Sequence, residues 1–112
     1  MGRYRRGRSA EWLAAAFLML KGHRILARRF KVHGGEIDLI TLRAGRIAFV
    51  EVKRRKTVEA CQASITPRLR RRVRSAADIW LARNPRYQSH NLGFDIVFIT
   101  PGSWPAHLRD AL

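Results

Sequence analysis

A mixed α/β fold of α-β-β-β-α-β order, its sheet flanked by helices, is what three features of this 112-residue chain predict. The alternating segments 36–42 and 47–53 are joined by a short link containing Ala44-Gly45, so they make an antiparallel hairpin. An apolar run at 10–21 and a second helix opened by Thr66-Pro67 supply two covering elements. The run FDIVFIT at 94–100 adds a last strand.

In chain order, residues 1–8 form a basic arm carrying Arg3, Arg5, Arg6 and Arg8, read as flexible when free and as fastening onto nucleic acid when bound. The arm and the apolar run together resemble a signal peptide. Glu11 interrupts the run, however, LKGHR stands where a cleavage site should be, and the run is well short of the ~20 residues of a membrane span. A buried helix fits better, N-capped by Ser9, ended at Gly22 and apolar around so much of its circumference that it needs cover on several sides. Residues 24–30 read as a first strand with HGG at 33–35 as the turn after it. Residues 57–65 read as a loop. The second helix runs to about Arg83, where Asn84-Pro85 stops it; its apolar stripe is Leu69, Val73, Ala76 and Trp80, and Arg68, Arg71, Arg72 and Arg74 face away. One domain covers 9–100, and 101–112 is expected to be an irregular tail.

The formal charge is +15 with a pI near 11.8, and 19 of the 23 basic residues are arginine, whose planar fork suits phosphate oxygens. Nucleic acid is the first expectation for a partner, DNA ahead of RNA, with an anionic membrane surface as the competitor that is set aside. The lone Cys61 forms no internal disulfide and no CxxC metal site, which fits a reducing cytoplasm.

With acids so scarce, the hairpin is unusual in carrying three. Alternation places Glu36, Asp38 and Ile40 on one face of the first strand, and Ile47, Phe49, Glu51 and Lys53 on one face of the second. If Leu42 lies opposite Ile47, then Asp38 faces Glu51 and Glu36 faces Lys53. Directly opposed like charges destabilise a strand pair, and a hard divalent cation with oxygen ligands is the natural way to offset this. Lys53 would then sit beside the ion, placed to assist a water or to face a phosphoryl oxygen. The bland reading of the same spacing is a Glu36–Lys53 ion pair, with Asp38 and Glu51 pointing to solvent from a half-buried sheet.

Asp38, followed on the next strand by the E-x-K of Glu51, Val52 and Lys53, resembles the signature of the PD-(D/E)xK nuclease superfamily. The wider string GEIDLI…FVEVKRR resembles the uncharacterised YraN-like family within it, over roughly Gly7 to Ile99. The resemblance implies a restriction endonuclease-like core, similar in shape to Holliday-junction resolvases, and an endonuclease site dependent on Mg²⁺ or Mn²⁺. It implies Asp38 and Glu51 as metal-binding acids, Lys53 as the catalytic lysine, Glu11 as the first-helix acid that completes such a site, and the Val52 carbonyl as a further ligand. The chain departs from the pattern at Leu69, where a lysine is usual, and in a 57–63 loop without glycine.

Around that core, Arg54, Arg55 and Lys56 leave the catalytic strand at the mouth of the site, while Arg68, Arg71 and Arg72 on the second helix and Arg5 and Arg6 on the arm are further candidates for phosphate contacts. Arg74 can pair with Asp78 four residues on, and Asp95 is expected to be a structural acid paired with an arginine. His23, His33, His90 and His107 lack metal-ligand spacing and read as turn or surface residues. Trp12 and Trp80 read as core and Trp104 as exposed, which would suit a homodimer contact. The functional expectation is a structure-selective endonuclease, branched DNA included; the alternative is a non-catalytic nucleic-acid-binding accessory module on the same scaffold.

Overall fold

The hairpin that anchors the fold consists of β2 (Gly35–Arg43) and β3 (Arg46–Arg54), linked by the two residues Ala44 and Gly45 at φ 50° and 76°. Two consecutive positive φ values give the turn whose twist matches a right-handed strand pair, and the glycine takes one of them without strain. That turn fixes the register: Leu42 pairs with Ile47 and Leu39 with Val50. The computed structural model describes the backbone of residues 2–112 and the side chains of residues 9–112, so the roles expected of Arg3, Arg5, Arg6 and Arg8 lie outside the described residues.

β1 (Arg24–Val32) pairs antiparallel with β2, β4 (Asn91–Ile99) pairs parallel with β3, and the short β5 (Ala106–Leu108) pairs antiparallel with β4. The sheet order is thus β1-β2-β3-β4-β5. A parallel neighbour needs a crossover, which α2 (Val58–Ala63) and α3 (Pro67–Arg83) supply. Thr57 caps α2 within a stretch expected to be loop, and Thr66 Oγ1 accepts from the Leu69 amide to open α3 as expected. β5 lies inside the tail expected to be irregular.

The helix α1 (Gly2–Leu20) is already helical at Ser9, so Ser9 is not its cap. It ends at Gly22 as expected, with the Gly22 amide donating to the Met19 carbonyl and the His23 amide to that of Leu18. Its residues Ala10, Ala14, Ala15 and Leu18 are buried on Leu39, Ala48, Val50 and Val97. Cover on several sides is not what forms: Trp12, Leu13, Met19 and Leu20 are exposed, because only one sheet face meets this helix. Trp12 therefore lies outside the core, under the Arg28 guanidinium at 3.9 Å. Trp80 is buried as expected.

On the opposite face α3 lays Val73, Ala76, Ala77 and Trp80 on Ile37, Ile40, Ile47 and Phe49. A side chain at Gly35 would collide with the Arg72 carbonyl, so the helix rests on bare backbone there. Ile37 joins this cluster and Leu39 the one under α1. Strict alternation would keep both on one face, so β2 turns over at Asp38. Opposite this point, between Arg28 and Phe30, whose partners are Leu39 and Ile37, stands Arg29 at φ 53°, the matching irregularity in β1.

Candidate active site

The turnover at Asp38 opens the β2–β3 pair. Ladder pairing stops at Leu39–Val50, although continuing the register sets Asp38 opposite Glu51 as expected. Beyond the opening, Asp38 Oδ2 accepts the Val52 amide at 2.7 Å, taking a place that a main-chain carbonyl would otherwise fill. In a strand the carbonyl points the same way as the amide of its own residue, so the Val52 carbonyl faces the same gap. The Val52 side chain packs toward the core under α1.

Glu51 is buried, and its two oxygens differ. Oε2 lies 3.1 Å from Lys53 Nζ, whereas Oε1 has no donor of its own, and the Asp38 carboxyl is close enough for the two acids to share a proton. Burial, then the charge of Asp38, lifts the Glu51 pKa to about 8, outweighing the attraction of Lys53. Burial also raises Asp38 despite the Val52 amide, and burial together with Asp38 raises Glu11. Glu11 reaches the site from α1 and stands 3.8 Å from Arg29 Nε. In all three, burial is the leading cause of the rise, so the neutral acids are favoured although Lys53, Arg54, Arg55 and Lys56 line the same cavity.

Together Glu11, Asp38, Glu51, Val52 and Lys53 line a cavity of about 590 Å³, along with Arg54, Arg55 and Lys56. The donor set tests whether Mg²⁺ or Mn²⁺ would fit. Among the described residues no three His, Cys, Asp or Glu side chains converge closely enough to hold an ion by themselves. Two carboxylates, one with a vacant buried oxygen, plus a main-chain carbonyl and room for water and phosphate do suit a hard cation that keeps part of its hydration shell. The residues fit such an ion.

Other expectations are redistributed. Glu36 pairs with Lys31 of β1 at 3.9 Å, not with Lys53, because Lys53 is held by Glu51 across its own strand face. Arg68 and Arg71 are exposed on α3, with Arg72 half-buried, and none of the three lines this cavity. Arg74 does not pair with Asp78; it stacks on Phe94 at 4.3 Å and donates to the Leu112 carbonyl. Leu69, in the position expected to be basic, packs half-buried against the α3 cluster.

Asp95 is the structural acid expected, and Arg46 is its arginine. The guanidinium binds both carboxylate oxygens at 2.7 and 2.8 Å, crossing Gly93, where any side chain would block its path. His107 Nε2 at 2.8 Å and the Asp110 amide at 2.9 Å complete the shell. Burial would raise Asp95, but the hydrogen bonds from Arg46, His107 and Asp110 hold it well below the usual carboxylate range. His107 and His23 are therefore interior groups, not turn or surface residues. Sequence reasoning missed Arg29 and His107: one acts through a strand irregularity and the other through a strand that has no periodic signal.

Residues 10–99 match the uncharacterised protein family UPF0102. The chain is 49% identical over 108 residues to a UPF0102 protein of Mesorhizobium japonicum, covering 96% of this chain and 86% of that one. It is 55% identical over 106 residues to one of Methylorubrum extorquens, with 95% and 83% covered. Over 103 residues it is 50% identical to one of Brucella abortus, with 92% and 82% covered. No helix among the described residues is long and apolar enough to cross a membrane.

Proposed function

Because the chain belongs to the uncharacterised protein family UPF0102, whose name states no activity, we propose a function from the site itself: metal-dependent hydrolysis of nucleic-acid phosphodiesters. The observation that carries the reading is the orphaned Oε1 of buried Glu51, set opposite Asp38 and beside Lys53 in a cavity rimmed by Arg54, Arg55 and Lys56. An acid this buried and this crowded is retained at a cost, and a divalent cation accounts for it. The PD-(D/E)xK resemblance of these same residues agrees.

Asp38 and Glu51 would hold Mg²⁺ or Mn²⁺, with the Val52 carbonyl and Glu11 in reach of the same cavity. When bound, the ion lowers the pKa of a water and draws negative charge off the phosphoryl oxygens. The chain's own part is positional. Arg54, Arg55 and Lys56 seat the backbone phosphates, and the rise in negative charge as water oxygen bonds to phosphorus is met by the Lys53 ammonium. The attacking water gives up a proton to solvent, the bond from phosphorus to the departing sugar oxygen breaks, and that oxygen takes up a proton from solvent. Contacts made through phosphates select the shape of a substrate more than its sequence, so structure-selective cutting of DNA, branched forms included, is the specific reading.

The closed Glu51–Lys53 pair and the apolar Leu69 favour a second reading, a binding module that no longer cuts. Labelled duplex, branched and single-stranded substrates incubated with purified protein and Mn²⁺ decide between them. Cleavage that falls at least about 100-fold in Asp38→Asn and Lys53→Ala is expected. Salt-sensitive binding without cleavage selects the module, and equal cleavage by all three proteins ends the enzymatic reading.

A further inference from the structure

At the other end of the β2–β3 hairpin lies a second cavity, of about 410 Å³, lined by Lys21, His23, Arg43, Arg46, His107 and Arg109. Arg43 lies five strand steps from Asp38, about 17 Å at the usual rise, so this cavity is distinct from the acidic site.

Its charge is not balanced. Arg46 is bound by Asp95 and by Asp110 at 3.0 Å. Arg43 and Arg109 have no carboxylate partner among the described residues, and Lys21 Nζ only overlies the Phe17 ring at 5.2 Å. Four cations against two carboxylates leave two positive charges. Attraction of cations to the C-terminal carbonyls of α1 is the ordinary explanation for such a cluster. Here the carbonyls of Leu18 and Met19 already accept the His23 and Gly22 amides, and Arg43 and Arg109 come from other parts of the chain.

The floor is polar and built. The rings of His23 and His107 meet edge to face, centroids 5.5 Å apart. His23 Nδ1 is fixed by Thr41 Oγ1 at 3.1 Å and His107 Nε2 by Asp95. That leaves His23 Nε2 and His107 Nδ1 without hydrogen-bond partners among the described residues. Burial, then the charges of His107, Arg43 and Lys21, drives the His23 pKa down to about 4. The arginines of α3 differ, since Arg68, Arg70 and Arg71 are exposed and line neither cavity.

We propose that this cavity is a binding site for a phosphate dianion. A terminal phosphomonoester of a nucleic-acid strand and a free phosphorylated small molecule both present that group. An internal phosphodiester carries one charge and matches the excess less well. The site therefore reads strand ends or small phosphates, not duplex backbone.

Calorimetry in EDTA separates these cases, because no divalent ion is needed. Inorganic phosphate should bind the full chain and bind at least tenfold more weakly to Arg43→Gln/Arg109→Gln. Both positions are exposed, and circular dichroism checks that the fold persists. The comparison needs neither cleavage nor a divalent ion, so its result is independent of the nuclease reading. Oligonucleotides of one sequence, ending in 5′-phosphate, 3′-phosphate or hydroxyl only, then identify the source. A terminal phosphate that tightens binding at least tenfold, with the preference lost in the double variant, assigns strand ends. Equal binding of all three oligonucleotides, alongside retained phosphate binding, assigns the small molecule. No phosphate binding by the wild type, or equal binding by the folded double variant, overturns the proposal.

Discussion

Two buried carboxylates in one sheet have opposite fates. Asp95 on β4 accepts from a bidentate arginine, an imidazole and a main-chain amide, and its acidity is strengthened. Glu51 on β3 has one lysine and one empty oxygen, faces another acid, and its acidity is weakened. Burial penalises both alike; what differs is the supply of donors. Asp95 finds all its donors within the fold, whereas Glu51 is left short of them.

The contrast can be broken from the satisfied side first. Asp95→Asn leaves Arg46, whose side chain is only 14% exposed, with the exposed Asp110 as its remaining carboxylate, and should cost about 3 kcal/mol in urea unfolding. A cost within experimental error would mean that the cluster contributes nothing to stability.

Proton competition gives the next largest effect. Mn²⁺ has to displace the proton that Glu51 retains up to about pH 8, so affinity should climb about tenfold per pH unit below that value. Titration calorimetry at three pH values measures the slope, and a flat profile removes Glu51 from the ligand set.

Glu51→Gln sharpens the comparison through stability. A carboxyl raised in the folded state contributes stability below its unfolded value of 4.5, and that contribution is lost as pH rises through about 8. The glutamine variant lacks this loss. It should be more stable than the wild type at pH 8 by at least about 1 kcal/mol, with the gap closing toward pH 4.5, while Mn²⁺ heat disappears. Asp95 has the reverse sign: its contribution is present above the unfolded carboxylate value and is lost only as pH falls through its depressed folded one. Least affected is Glu36→Gln, which removes a surface pair with Lys31 at 3.9 Å and should stay within about 0.5 kcal/mol.

The legible part of the fold was the part encoded locally. Ala44-Gly45 specified the register that sets Asp38 against Glu51, Thr66-Pro67 specified the start of α3, and the Leu69–Trp80 stripe specified the face it buries. What escaped depends on partners distant in the chain. Glu36 pairs with Lys31, its cross-strand neighbour on β1, because Lys53 is held by Glu51, and a period-2 pattern does not encode which neighbour an acid takes. Trp12 read as core because an apolar helix says how much surface needs cover, not how much the sheet can offer. His107 gained its role only because β5 carries it back to Asp95.

The parallel seam between β3 and β4 also divides the molecule in time. Every side chain of the acidic cavity from Glu11 through Lys53 belongs to α1 and the β1–β2–β3 meander, and these contacts close over short loops. Arg46 must wait for Asp95 and Asp110, the latter 64 positions further along. On the ribosome the hairpin that carries Asp38 and Glu51 is thus complete before the clamp that braces the opposite end has been synthesised.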